Sequence, residues 1–289
     1  MKKKLNVSLV VASHKGREKL PKLINSVKNN NLHPKQIIIC GTQKKDISLV
    51  KKKDLKSLNV VFIVSKVKNQ VFQRKKALEK ITQEYVLQLD DDIVLEKNFF
   101  NNLNYHIKKK KKNTITMSLV IIPGLKEQAY RWNLYFRDNL YFRLLLRFFN
   151  FGKKIKYMSI LSSGRICPYL PKSFINKKYV LKKLEWTNSL ICYHKSVLDY
   201  FDNSYVAKGN DKSFYEDVIF SHSLFEKGFK LQIDPKLRAI HPYYKELDFY
   251  THLRTLKTQY YIVRKFKKSL IMFVLDIFLA TIFLFFRKS

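Results

Sequence analysis

The chain has 289 residues and a hydrophobic fraction of 46%, enough for one large domain or two small ones around a buried core. Its 57 Lys+Arg against 22 Asp+Glu leave a formal net charge of +35, which favours anionic partners: nucleic acid, lipid headgroups or phosphorylated substrates. The three cysteines, Cys40, Cys167 and Cys192, form no Cys-x-x-Cys pair, which argues against a zinc site or a disulfide framework and fits a reducing compartment.

In chain order, Leu5–Ala12 is apolar and β-branched and predicts a first strand. Preceded by lysines, it superficially resembles a signal peptide. However, its uninterrupted apolar run, Leu9–Ala12, is too short, and Ser13-His14-Lys15-Gly16-Arg17 follows at once. Lys19–Asn29 places Leu20, Leu23, Ile24 and Val27 at helical spacing. Gln36–Cys40 is a buried strand ending at Gly41. Ile47–Leu58 reads as a short helix, Asn59–Val64 as a third strand, Val71–Thr82 as a basic helix and Tyr85–Leu89 as a fourth strand. This alternation predicts a mostly parallel sheet with helices on both faces. Ligands of such sheets bind beyond the carboxyl ends of the strands. Ser13-His14, Cys40-Gly41 and Asp90-Asp91-Asp92 all stand at such ends and are expected to share one crevice. Three adjacent carboxylates repel one another unless a cation sits among them, either a Lys or Arg or a divalent metal of the Mg²⁺ or Mn²⁺ kind.

Beyond the acids, Asn98–Ile107 reads as a helix, Lys108–Lys112 as a solvated charge run and Thr114–Ile122 as a strand stopped by Pro123-Gly124. Tyr130–Phe151 is dense in aromatics, Leu and Arg; Arg131, Arg137, Arg143 and Arg147 do not fall on one helical stripe. That composition suits a membrane-interface or partner-binding segment, with a buried helical hairpin as the alternative. Ser162–Ser173 reads as a loop and Glu185–His194 as a turn leading into a strand. Tyr215–Lys227 reads as a helix capped by Gly228, and Phe229–Ile233 and Leu237–Ile240 as two short strands. Glu246–Lys265 reads as a helix. Leu270–Phe286 is nearly all apolar, broken by Asp276, against the about 20 residues that span a bilayer. It is expected to be a single-pass anchor, with a buried or in-plane helix as the alternative. The basic cluster Arg264, Lys265, Lys267 and Lys268 would hold the domain at the cytoplasmic face.

With these pieces placed, the chain resembles the family-two glycosyltransferases of the GT-A fold, from Val7 to about Pro242. Four blocks carry the resemblance. Val7–Arg17 is similar to the family's opening strand and donor loop. Gln73-Arg74-Lys75-Lys76-Ala77 is similar to its basic stretch before the acidic strand. Leu87–Ile93 is similar to its Asp-x-Asp block. The fourth block is Tyr215-Glu216-Asp217-Val218, followed by Glu226–Phe229 and Ala239-Ile240-His241-Pro242. It resembles the family's Glu-Asp motif, helix and closing strand. Two departures are visible. No acid follows the second strand, where Cys40-Gly41-Thr42-Gln43 stands and Asp46 could partly substitute. Lys75 stands where the family often has Asn.

The resemblance implies a Rossmann-like, GT-A nucleotide-sugar-binding domain over residues 1–245, with a variable insertion at 130–183. A helical hydrophobic, membrane-associating segment follows at 246–289. It implies transfer of a sugar, with inversion, from a nucleotide-diphosphate donor to a hydroxyl of a saccharide or lipid-linked acceptor. Cell-surface polysaccharide or glycolipid synthesis in a bacterium is the expected setting. Donor contacts fall to Ala12, Ser13, His14, Arg17, Gly41, Arg74, Asp90 and Asp91. Asp90, Asp92 and His241 would hold Mn²⁺ or Mg²⁺. Trp186 and Thr187 would face the acceptor, and Asp217, with Glu216 beside it, is the candidate general base. The bland readings are first-turn acids complementing a helix dipole, a core tryptophan and a structural histidine. A nucleotidyltransferase would carry a Gly-rich loop after the first strand, where only Gly16 stands. A non-catalytic nucleic-acid or membrane binder would gain nothing from acids at two element edges, and nucleic acid is not an expected partner.

Overall fold

The structure is a computed structural model that describes residues 3–121, 140–167, 170, 174, 179–200, 214–242 and 249–286. The first half follows the alternation read from the sequence. It contains β1 (Lys4–Ala12), α1 (Leu20–Lys28), β2 (His33–Gly41), α2 (Lys52–Ser57), β3 (Val60–Val64), α3 (Gln70–Leu78), β4 (Tyr85–Asp90), β5 (Val94–Leu95), α4 (Phe99–Lys108) and β6 (Thr114–Ile121). The expected helix Ile47–Leu58 is two pieces, a 3₁₀ turn at Lys44–Ile47 and then α2.

The second half is less regular. It contributes α5 (Leu140–Phe148), the short hairpin β7 (Ser159–Ile160) and β8 (Ile166–Cys167), and β9 (Leu181–Leu184) and β10 (Ile191–His194). Then come α6 (Glu216–Glu226), β11 (Lys230–Ile240), α7 (Phe249–Lys265) and α8 (Leu270–Phe286). The expected loop Ser162–Ser173 therefore contains β8. Arg131 and Arg137 lie outside the described residues. Phe229–Ile233 and Leu237–Ile240 belong to one strand, whose register shifts between Asp234 and Arg238. At that bulge the Asp234 carboxylate accepts from the Lys236 amide at 2.8 Å and pairs with His106 at 2.5 Å.

The main sheet runs β3-β2-β1-β4-β10-β6-β11-β5, with β9 on the side of β11. It is mixed rather than mostly parallel. β1, β2, β3 and β4 run parallel, as do β6 and β11, but β10 is antiparallel to both β4 and β6. The sequence pattern misses this because β10 enters the sheet from a distant segment, and its direction depends on the connection rather than on its own residues.

Alternation divides the core between the two faces of the sheet. Val7, Leu9 and Val11 of β1 point with Ile37, Ile39, Leu87 and Leu89 toward Leu20, Leu23 and Ile24 of α1 and Phe99, Phe100 and Leu103 of α4. Val10, Ile38 and Val86 point the other way, toward Ala77 and Leu78 of α3, Val218, Ile219 and Leu224 of α6 and Ile262 and Phe266 of α7. Each fully buried Leu or Ile here stabilises the fold by about 1.5–3 kcal/mol.

No helix is long and apolar enough to cross a membrane among the described residues. The single-pass anchor expected at Leu270–Phe286 is thereby corrected. That segment is helical, but it lies against the protein through Asp276, which is fully buried and paired with Arg165.

Candidate active site

The carboxyl ends of β1, β2 and β4 lie side by side, with Ala12 in register with both Cys40 and Asp90. The element that organises them is α3. Asn69 caps its start, the side-chain oxygen accepting from the Val71 amide at 2.9 Å. The helix then turns Gln70, Gln73, Arg74 and Ala77 to one side, a spacing of i, i+3, i+4 and i+7. Gln73 donates to the carbonyls of Ser13 at 2.7 Å and Cys40 at 3.2 Å and ties β1 to β2. Gln70 donates to Asp90 at 2.7 Å. Arg74, only 1% exposed, forks between Asp90, at 2.5 Å, and Glu216 at the start of α6.

The three acids after β4 go three different ways. Asp90 accepts from Gln70 and Arg74 on one oxygen and from the Ser189 hydroxyl, at 2.7 Å, on the other. Asp91 turns inward. It accepts from the Ser13 hydroxyl at 2.7 Å, the His14 amide at 3.1 Å and Lys19 at 3.2 Å. Burial raises its pKa, against the pull of Lys19 and Ser13. Asp92 faces His241, its Oδ1 3.5 Å from the ring Nε2. That Oδ1 and the His241 Nδ1 are both buried without a hydrogen-bond partner. Lys19 lies 3.6 Å from the other Asp92 oxygen. The cation among the acids is thus in part the protein's own: Arg74 on one side and Lys19 on the other.

The second half of the site is the start of α6. Tyr215, with φ at 58°, takes the left-handed backbone conformation, strained for a bulky residue, and the two acids follow it directly. Glu216 answers Arg74. Asp217 is half-buried, and its carboxylate accepts from the Val218 amide at 3.0 Å. Burial pushes its pKa up to about 7, reinforced by the charges of Glu216 and Asp90 and opposed by Arg74. A carboxylate poised near neutrality has the chemistry that a general base requires. For Arg74, burial alone would lower the pKa; Glu216, Asp90 and Asp217 outweigh it and hold the guanidinium charged.

Several expected roles change on this geometry. Asp90, Asp92 and His241 do not converge as three ligands. Asp90 is held by Arg74, Gln70 and Ser189, and no group of three or more metal-binding side chains occurs among the described residues. Arg74 is buried and braces two carboxylates rather than lying open to a phosphate. Trp186 is buried, donates its indole N–H to the Ser159 carbonyl at 3.2 Å, and packs in the core rather than forming a platform. Thr187 is fully buried and donates its amide to Ser221. Gly41 is required by Phe62, whose ring would stand 2.6 Å from an added Cβ. Asp46 folds back onto the Thr42 and Gln43 amides at 2.9 and 3.1 Å, so it does not take the place of the missing acid. His14 and Arg17 are exposed at the mouth, while Ala12 and Ser13 are buried beneath it.

Gln70, Ser189 and Lys19 hold the acids and were not singled out from the sequence. The helical spacing of Gln70 and Gln73 with Arg74 was the one available signal for the first.

The fold is that of known glycosyltransferases. A structure of GalNAc-T7 with UDP, GalNAc and Mn²⁺ superposes with a TM-score of 0.61 at 17% identity, covering 89% of this chain and 47% of that one. S. aureus TarS 1-349 superposes at 0.53 with 14% identity, over 84% of this chain and 60% of that one. Its complex with UDP-GlcNAc gives 0.54 at 13% identity, over 91% and 65%. The chain thus spans less than two thirds of each of these structures. No curated protein matches the sequence. The model of glycosyl transferase family 2 matches residues 8–163, more than half of the sequence and including β1, α3 and the acids after β4, and the chain belongs to that family.

Proposed function

We propose that the chain transfers a sugar from a nucleotide-diphosphate donor to a hydroxyl acceptor with inversion at the anomeric carbon. The supporting observation is the carboxylate of Asp217, raised to about 7 and set beside the Arg74 bridge that leads to the strand-end acids. The acceptor oxygen forms a bond to the anomeric carbon as the bond from that carbon to the diphosphate oxygen breaks. The acceptor proton passes to Asp217, and the diphosphate leaves with the bonding electrons. With Asp217 as the base and the neighbouring carboxylates of Glu216 and Asp90 held by Arg74, the reaction would be a single displacement. Glu216 and Arg74 position the base and are not themselves reactive. Arg17 and Lys19 supply fixed positive charge to the donor phosphates, with the exposed His14 beside Arg17.

Asp92 and His241 fit a divalent metal. They are two hard or borderline donors, the buried Asp92 Oδ1 having no hydrogen-bond partner and standing 3.5 Å from the His241 Nε2, and phosphates and water would complete the shell, as Mg²⁺ and Mn²⁺ sites commonly arrange. Held there by Asp92 and His241, such an ion would supply positive charge against the leaving diphosphate. The donor domain would be residues 1–245 and the acceptor a saccharide or lipid-linked hydroxyl in cell-surface polysaccharide or glycolipid synthesis. The solved relatives named for UDP or UDP-GlcNAc make uridine donors the first to try.

The test is a panel of UDP-, GDP- and dTDP-sugars with Mn²⁺ or Mg²⁺, read by nucleotide release and by the anomeric configuration of the product. Inverted product from one donor class supports the reading, and retained configuration contradicts it. Asp92→Asn and His241→Ala should each raise the metal concentration for half-maximal rate by about tenfold, the usual cost of weakening a ligand set. Unchanged metal dependence in both would remove the site.

A further inference from the structure

We propose that the chain docks in the plane of an anionic lipid bilayer through the outward faces of α8 and α5. α8 is apolar almost all round, yet among its described side chains the protein covers only one side. Phe273 and Asp276 are buried, while Leu270, Ile271, Val274, Leu275, Phe278 and Leu279 are exposed, with Ile271 at 74%, Val274 at 58% and Phe278 at 61%. These six recur at i, i+1, i+4, i+5, i+8 and i+9, one stripe of a helix. Exposed apolar surface of this extent marks an interaction face. α5 packs through Leu146, with Phe149 directly after it, on the same small cluster that Met272 of α8 joins. It turns Leu144 and Phe148 outward, with Phe151 just beyond it.

Two observations select the partner and the geometry. Arg147, Lys153 and Lys154, within or just after α5, and Arg264 and Lys267, just before α8, are exposed, and a net charge of +35 makes self-association costly and attraction to anionic headgroups favourable. Asp276 accepts from the Ser163 hydroxyl at 2.8 Å, from Gln259 of α7 at 3.3 Å and from Arg165 through both oxygens. This clasp keeps α8 on the protein, so its free side is presented lengthwise, as an in-plane helix requires. Thr255, on the same helix as Gln259, hydrogen-bonds Tyr215 directly before the acid pair. The docked face and Asp217 are therefore joined through α7.

The experiment is flotation of the full chain with vesicles of phosphatidylcholine plus phosphatidylglycerol, and with phosphatidylcholine alone. The protein should float with the anionic vesicles and far less with the neutral ones. Combined Ile271→Ser, Val274→Ser and Phe278→Ser should lower that partition by about tenfold or more, with the thermal melt unchanged. Arg264→Glu with Lys267→Glu leaves the apolar face intact and should erase the preference for anionic vesicles. Alkaline carbonate should strip the bound protein, and resistance to stripping would overturn the in-plane geometry. The proposal fails if the wild type does not float or the triple variant floats unchanged. It also fails if the wild type forms a dimer, without binding vesicles, that the triple variant abolishes. None of these readouts uses a sugar donor, so they stand or fall apart from the transfer reaction.

Discussion

At the scale of single residues, the site rests on where charge is held and where it is left adjustable. Arg74 is buried between Asp90 and Glu216, so its removal strands two carboxylates. Arg74→Met should cost about 3–5 kcal/mol in urea unfolding. Arg74→Met combined with Glu216→Gln should cost less than Arg74→Met alone. Equal losses would mean that the bridge contributes nothing. Asp217 binds its proton more tightly in the folded chain than in the unfolded one, because its pKa is raised to about 7. Its contribution to stability is present at low pH and is lost as the pH rises toward that value. Asp217→Asn should therefore melt above the wild type at neutral to alkaline pH, with the gap closing through the ordinary carboxylate range. A constant gap across that range would contradict the raised pKa.

Among the elements, α3 delivers the site and α6 completes it. α3 was legible as a helix and Arg74 as part of a family block, but the fork of Arg74 was not, since Glu216 lies far away in sequence. Asp90, Asp91 and Asp92 were legible as a strand-end cluster. Their division into a braced acid, an acid turned inward and an acid facing His241 depends on Ser13, Lys19, Ser189 and His241, which no local pattern links. β5, β7 and β8 are two-residue strands with no periodic signature, and β10 gives no local sign of its direction. The Asp276 clasp belongs to this scale as well. Arg165→Ala should leave a fully buried carboxylate uncompensated and loosen α8, at a cost of about 3 kcal/mol. Limited proteolysis should then cut near Lys267 and Lys268 before the rest of the chain. Unchanged protection would show that apolar packing alone holds the helix.

For the whole molecule, the sheet carries the candidate site because its parallel half, β3-β2-β1-β4, sets the carboxyl ends of β1, β2 and β4 side by side. Continuous apolar runs such as Gln36–Cys40 and Tyr85–Leu89 made that half readable, and the mixed remainder was not. The net charge acts on the entire fold by self-repulsion. Raising monovalent salt should therefore increase the melting temperature, and a flat or falling response would mean that repulsion is already compensated by local pairs. The central claim, that Asp217 takes the acceptor proton, is tested most directly by measuring donor binding and transfer rate side by side in wild type and Asp217→Asn. Donor affinity in the variant should stay within about twofold of wild type, with a transfer rate lower by roughly 10²- to 10⁴-fold. The alkaline-rising limb of the wild-type rate, centred near 7, should be lost in the variant. A variant that transfers at the wild-type rate, with the same dependence on pH, would contradict it.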